Sequence, residues 1–184
     1  MSAKSKGPVA TGAAAKKLLA GMMAELLPAI AKSAAQVLGV LRPMFKGTDE
    51  MVYDYPVGLV IAFSPTGRGK DGIASIVLYP QWINLFLLNG PALPDPTKRL
   101  HGAGSSVRHI TLENGVDTLR EKDVQTLIKS AIKTSQFGID PKRRGQLVIQ
   151  VISPNKRPRR PPEKKPSSRR SASAARSPAR RKRT

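Results

Sequence analysis

Four segments stand one after another between residues 51 and 88: Met51-Val52-Tyr53-Asp54-Tyr55, Leu59-Val60-Ile61-Ala62-Phe63, Ile73-Ala74-Ser75-Ile76-Val77-Leu78-Tyr79 and Trp82-Ile83-Asn84-Leu85-Phe86-Leu87-Leu88. Each is rich in β-branched and aromatic residues, the side chains that fit a pleated surface. Pro56-Val57-Gly58, residues 64–72 and Pro80-Gln81 separate them. Connections this short favour antiparallel neighbours, because a parallel crossover needs a dozen or more residues. Val107-Arg108-His109-Ile110-Thr111-Leu112 predicts a further strand after a loop dense in Pro and Gly, and residues 146–152 predict a last one. The expectation is an antiparallel sheet of about five strands.

Helices flank this sheet in the sequence. Leu18, Met22, Met23, Leu26, Leu27 and Ile30 recur at helical spacing, and Ala34, Val37, Leu38 and Leu41 carry the stripe to the Arg42-Pro43 break. Pro28 lies between the two halves and predicts a kink or two consecutive helices. The polar side of this stretch carries few cations, so it reads as a core-packing helix and not a membrane-surface one. Thr118-Leu119-Arg120-Glu121 has the form of a capping box. It precedes the apolar positions Val124, Leu127, Ile128, Ala131 and Ile132, with Gly138 and Asp140-Pro141 as stops. The fold class is α+β: a sheet with N-terminal and C-terminal helices packed on it.

Charge divides the chain. Residues 1–155 hold 19 Lys/Arg against 11 Asp/Glu, whereas residues 156–184 hold 13 against the single acid Glu163. More than half of the net +20 therefore falls in the last 29 residues. Beyond Ser153-Pro154 no hydrophobic residue is larger than alanine, and such a segment cannot offset its ordering entropy by burial. The expected organisation is a flexible basic arm over 1–17, an α+β domain over 18–152 and a disordered basic tail over 153–184. With no cysteine there is neither a disulfide framework nor a thiolate metal site, which suits a reducing compartment. Glu25 and Pro28 interrupt the first apolar run, which argues against a signal peptide, and no window approaches the roughly 20 apolar residues of a membrane span. A cytoplasmic protein is expected, nucleoid-associated if its partner is chromosomal DNA.

Three stretches invite a chemical interpretation. Residues 64–72 contain Gly67-Arg68-Gly69-Lys70-Asp71, but a phosphate loop needs Ser or Thr after the Gly-Lys pair and a helix behind it. Asp71 and a following strand fit a flexible hairpin loop, which can still touch an anion through Arg68 and Lys70. In the second stretch, Gly102 and Gly104 precede a strand on which Arg108 and His109 point to opposite faces. Two readings stand there: an anion or small-ligand site with Gly102, Gly104, Arg108 and His109, or a structural arginine that holds the loop on the sheet. In the third, Tyr79 and Trp82 bracket a tight turn. Their sequence neighbours are apolar or Asn, which favours turn packing over base stacking, with a ligand contact as the second reading. His101 and His109 are the only histidines, and with Asp95 the only nearby acid no metal site is expected. Ser105, Ser106, His109 and Asp117 lack the setting of a nucleophile elbow, so neither an enzyme nor a cofactor is expected.

The C-terminal segment carries the strongest signal. Its cations are Lys156, Arg157, Arg159, Arg160, Lys164, Lys165, Arg169, Arg170, Arg176, Arg180, Arg181, Lys182 and Arg183, spaced by Pro, Ser and Ala. Like-charge repulsion and proline keep such a chain extended, so its cations can follow a phosphate backbone without reading sequence. Nucleic acid is the expected partner. The alternative is a tail that serves solubility alone, attached to a domain that handles a small ligand, an anion or a metal.

Val52-Tyr53-Asp54-Tyr55, Ile76-Val77-Leu78-Tyr79-Pro80, Trp82-Ile83-Asn84-Leu85-Phe86, Asp95-Pro96, Leu100-His101-Gly102-Ala103-Gly104 and Val107-Arg108-His109-Ile110 follow one another in an order and spacing that resembles the YdhG-like domain family, a group of unknown function. The resemblance spans roughly residues 20–135 and implies a compact α+β domain with an antiparallel sheet and flanking helices. Some relatives are described as frataxin-like iron carriers, a role that calls for an acidic ridge where this chain has scattered acids. The tail lies outside the family domain and is similar in composition to that of a linker histone.

Overall fold

The computed structural model describes residues 8–154, so the arm's first seven residues and every tail cation lie outside the described residues. In chain order the elements are β1 (Ala10–Thr11), α1 (Gly12–Ala24), α2 (Pro28–Met44), β2 (Asp49–Tyr55), β3 (Gly58–Ser64), β4 (Ala74–Leu78), β5 (Ile83–Leu88), β6 (Val107–Thr111), α3 (Val116–Arg120), α4 (Lys122–Lys133) and β7 (Leu147–Ile152). The class is α+β. Strands β2 to β6 form the expected antiparallel meander, each pairing with the next.

The sheet is larger than expected and it is mixed. Seven strands run in the order β1-β7-β2-β3-β4-β5-β6. Strand β7 inserts beside β2 in parallel and pairs antiparallel with β1 on its other side. The short-loop argument for antiparallel pairing does not reach β7, because α3, α4 and residues 134–146 supply the long return that a parallel neighbour requires. Ordered structure also begins before Leu18: β1 and the first turns of α1 occupy residues assigned to the arm, since Val9 N donates to the Ile149 carbonyl at 2.7 Å and Ala15 is fully buried.

Two helices, not a kink, solve the Pro28 problem. Proline opens α2 at its first position, where its missing N–H costs nothing. The helix then runs through Pro43 to Met44, one residue past the expected break. The capping box does not form. Thr118 is buried inside the short α3, where its Oγ1 accepts from the Asn114 amide at 3.0 Å. Glu121 stands at the N-cap of α4 with no side-chain cap, and its carboxylate pairs with Arg99.

The four α-helices of the described residues all contribute to one apolar cluster on a single face of the sheet. Val52, Leu59, Ile61, Ile76, Leu85 and Ile149 meet Leu26, Val37, Leu41, Leu119, Val124 and Ile128 there, and Phe45 stacks on Phe63 at 4.7 Å. Arg42, in the last turn of α2, grips Glu50 of β2 through two hydrogen bonds of 2.8 and 2.9 Å. That carboxylate raises the Arg42 pKa further, so the pair stays charged. Among the described residues, no helix is long and apolar enough to cross a membrane.

Candidate functional site

Side chains alternate along a strand, so the register decides which residues share the other face. Counting across the pairings, one row holds Tyr53, Val60, Val77, Asn84 and Thr111, and the next holds Met51, Ala62, Ser75, Phe86 and His109. A third row closes the strand ends: Tyr55 opposite Gly58, and Tyr79 bonded to Trp82 through its amide at 3.0 Å. Met51, Ala62 and Val148 form a small cluster on this face together with Tyr53, and among the described residues no helical residue joins it. Helices cover one face of the sheet; this one presents aromatic rings.

The rings are ordered in pairs. Tyr53 and Tyr55 stack along β2 at 5.9 Å between centroids, and Tyr79 and Trp82 stack at 5.0 Å across the β4–β5 hairpin. Phe86 meets His109 at 5.2 Å. Tyr55 and Trp82 remain 43% and 47% exposed, far more than aromatic residues of a core. Between them Asn84 is only 8% exposed, and its side-chain oxygen Oδ1 has no hydrogen-bond partner among the described residues. A buried amide oxygen left this way is uncommon and costly. Burial pushes the Tyr53 phenol up, and the neighbouring Tyr55 adds to that shift.

The loop after β3 closes one end of the face. Its glycines Gly67 and Gly69 sit against Asp49 and the Tyr53 hydroxyl, where an added Cβ would collide. The loop is braced from within: Asp71 accepts from the Thr66 hydroxyl at 2.6 Å and from Arg68 Nε at 2.5 Å. These two contacts hold the Asp71 carboxyl below the usual carboxylate range. Arg68 also lies over the Phe137 ring at 5.9 Å, while Lys70 stays exposed. A carboxylate satisfies the loop's polar groups where a phosphate loop would hold an anion.

The expected site residues separate into two groups. Arg108 projects to the helix side of the sheet margin, opposite Leu87. Its Nη1 donates to the carbonyls of Gly104 and, at 2.9 Å, of Val107, and the turn Gly90–Ala92 packs against its stem. These contacts tie Arg108 to the glycine loop. His109 faces the other way, onto the aromatic face with Tyr79 and Trp82. Residue 101 extends the sheet by one bridge, exchanging two backbone hydrogen bonds with His109 at 2.8 and 2.9 Å. Gly102, at φ +112°, turns the chain away beside the His109 ring. Tyr53, Tyr55, Asn84 and Phe86 are the members of the face that sequence reasoning did not single out; the period-2 alternation from 51 to 55 and from 82 to 86 is the signal that held them. Among the described residues, no group of three or more His, Cys, Asp or Glu is placed to hold a metal ion.

Two predictions follow from this geometry. Arg108→Ala is expected to cost about 1–2 kcal/mol, the value of two side-chain bonds to carbonyls, and to loosen residues 101–106 before the rest of the domain. Hydrogen exchange at the His101 and His109 amides reads that loosening directly. The second concerns pH. Burial, and secondarily the charge of His101, lowers the His109 pKa. The folded state thus favours neutral imidazole: its contribution is complete above the unfolded value of about 6.5 and is lost as pH falls through the lowered folded value. Urea midpoints for wild type and His109→Phe, taken from pH 8 to pH 5, should diverge below about pH 6.5, with the wild type losing more.

No family model, curated protein or solved structure matches this chain.

Proposed function

We propose that the protein binds nucleic acid, with the C-terminal segment supplying the electrostatic grip and a YdhG-like α+β domain as its cargo. The carrying observation is the charge of residues 156–184, 13 Lys/Arg against one acid. That density exceeds what solubility needs and suits a phosphate backbone. The chain leaves the described residues at the sheet itself, where Ser153 N donates to the Asp54 carbonyl at 2.9 Å, so the tail starts next to Tyr55.

A binding protein is a better reading than an enzyme because acids in the domain do structural work. Asp49 accepts from Arg143 and from the Gln146 amide, Asp71 from Thr66 and Arg68, and Asp95 from the Arg99 and Leu100 amides. The test is affinity for several unrelated duplexes with the full chain and with a chain ending at Pro154. Comparable affinity for all duplexes, lost on truncation, supports the proposal; equal affinity of the two chains overturns it.

A further inference from the structure

Duplex DNA or RNA offers phosphates to a basic tail, but it hides the faces of its bases. The face of the sheet that no helix among the described residues covers has the opposite chemistry. Tyr55 and Trp82 expose ring surface at its margin, with Tyr53 and Tyr79 stacked against them as backing. Backing rings hold the outer two in place, so little side-chain entropy is lost when a third ring is added. Residues two apart on a strand lie about 6.6–6.8 Å from each other, and β2 and β5 are separated by about 14 Å across three strand spacings. Successive unstacked bases of an extended strand can reach such platforms, whereas paired and stacked bases cannot.

Three further observations select nucleic acid over another occupant. Asn84 lies two residues from Trp82 and two from Phe86, buried and with Oδ1 unpartnered, so it offers an acceptor to the amino or imino edge of a base. The two inner rows carry no carboxylate to repel phosphate. At one end Asp49 is bound by Arg143 at 2.6 Å with exposed Lys70 in the loop beside it, and at the other exposed Glu113 shares a hollow with Trp82. Finally, the strongly cationic segment begins at Ser153, bonded to the strand that carries Tyr55.

We propose that this face is a second nucleic-acid site that stacks unpaired bases on Trp82 and Tyr55 and hydrogen-bonds one of them through Asn84, so that the protein prefers single strands to duplexes. The proposal rests on the nucleic-acid reading above and adds the form of the ligand. Stacking on an aromatic ring is sequence-tolerant, because every base has a π face. The tail would bring either form to the protein; the sheet would retain the single strand.

Trp82 is the only tryptophan, so its emission reports the site without a label. Full-length protein is titrated with oligo-dT, with oligo-U and with a duplex of equal length, at low and moderate salt. The expected result is quenching by the single strands and little by the duplex, with a quench that survives salt better than duplex binding does. The oligo-dT and oligo-U arms show whether DNA or RNA is preferred. Tyr55→Ala is expected to weaken single-strand affinity about 5- to 150-fold, the range for one stacked base, and to leave duplex affinity unchanged. Trp82→Ala, followed by anisotropy of labelled oligonucleotide, should do the same, and Trp82→Phe should restore most of the affinity. Both side chains are half exposed, so thermal melts should stay close to wild type and separate a lost contact from a lost fold. Unchanged single-strand affinity in both alanine variants overturns the proposal, even if the tail still binds duplex. Failure of the full chain to bind any nucleic acid overturns the nucleic-acid reading with it. Emission that shifts with protein concentration alone, with a dimer in sedimentation, identifies a second copy as the occupant and also overturns it.

Discussion

Ending the chain at Pro154 is expected to abolish most duplex binding and nearly all of its salt dependence. The deleted segment carries 13 Lys/Arg, and each phosphate they neutralise releases condensed counterion. On B-DNA the slope of log K against log salt is about −0.9 per contact; if roughly half to two-thirds of these cations engage together, the full chain should show about −6 to −8. The remaining body keeps 19 Lys/Arg against 11 acids, several of them already in ion pairs with Asp49, Glu50, Asp71 or Glu121. Its residual slope should be a small fraction of that value. Scrambling the order of the deleted segment should change little, and Arg→Lys exchange should weaken binding modestly, because the phosphates sense charge density. A flat salt response of the full chain would move the electrostatic role away from the tail. Binding that persists at high salt, and prefers single strands, belongs to the aromatic face.

Gly47→Val should be among the most damaging single substitutions in the domain. Gly47 has φ +99°, which a β-branched residue adopts only under strain, and an added Cβ would run into the Asp140 carbonyl. That contact belongs to a clasp: Arg143 donates to the Gly47 carbonyl at 2.9 Å and to Asp49 at 2.6 Å, while the Asp49 carboxylate also accepts from the Gln146 amide at 2.8 Å. Asp49 is buried, and its carboxylate pushes the Arg143 pKa up. Together these groups aim β7 alongside β2. Backbone cannot yield as a side-chain tip can, so the expected loss is about 4 kcal/mol or more, a drop in Tm of roughly 8–16 °C. Gly39→Ala is the control. It lies in α2 with nothing within 4 Å of an added Cβ, and should stabilise by about 0.5–1 kcal/mol. A Tm for Gly47→Val within a degree or two of wild type would show that β7 is held by its ladder alone.

Local patterns were legible where a single segment contains its own cause. The four strands between residues 51 and 88 and the strand at 107 follow from composition and short connections, and the α4 helix from its apolar spacing. Pro28 announced an interruption because its ring restricts only its immediate neighbours, but left a kink and a helix start both open. The capping box misled for the same reason in reverse: Thr-x-x-Glu scores well locally, yet burial of Thr118 in the core and the pull of Arg99 on Glu121 outweigh a cap worth about 1 kcal/mol.

Segregation of charge into residues 156–184 is a property of the sequence by itself, and so are the α+β class, the absence of cysteine and the antiparallel meander, because each depends on residue type within a short window. The parallel placement of β7, the clasp at Asp49 and the assembly of Tyr53, Tyr55, Tyr79, Trp82, Asn84, Phe86 and His109 on one face were decided only by the tertiary structure. Followed along the chain, Tyr55 merely ends a strand and Trp82 merely borders a tight turn. Their partners lie across the sheet, and cross-strand register is set by hydrogen-bond ladders and by helices that bury the opposite face, interactions that no window of consecutive residues contains.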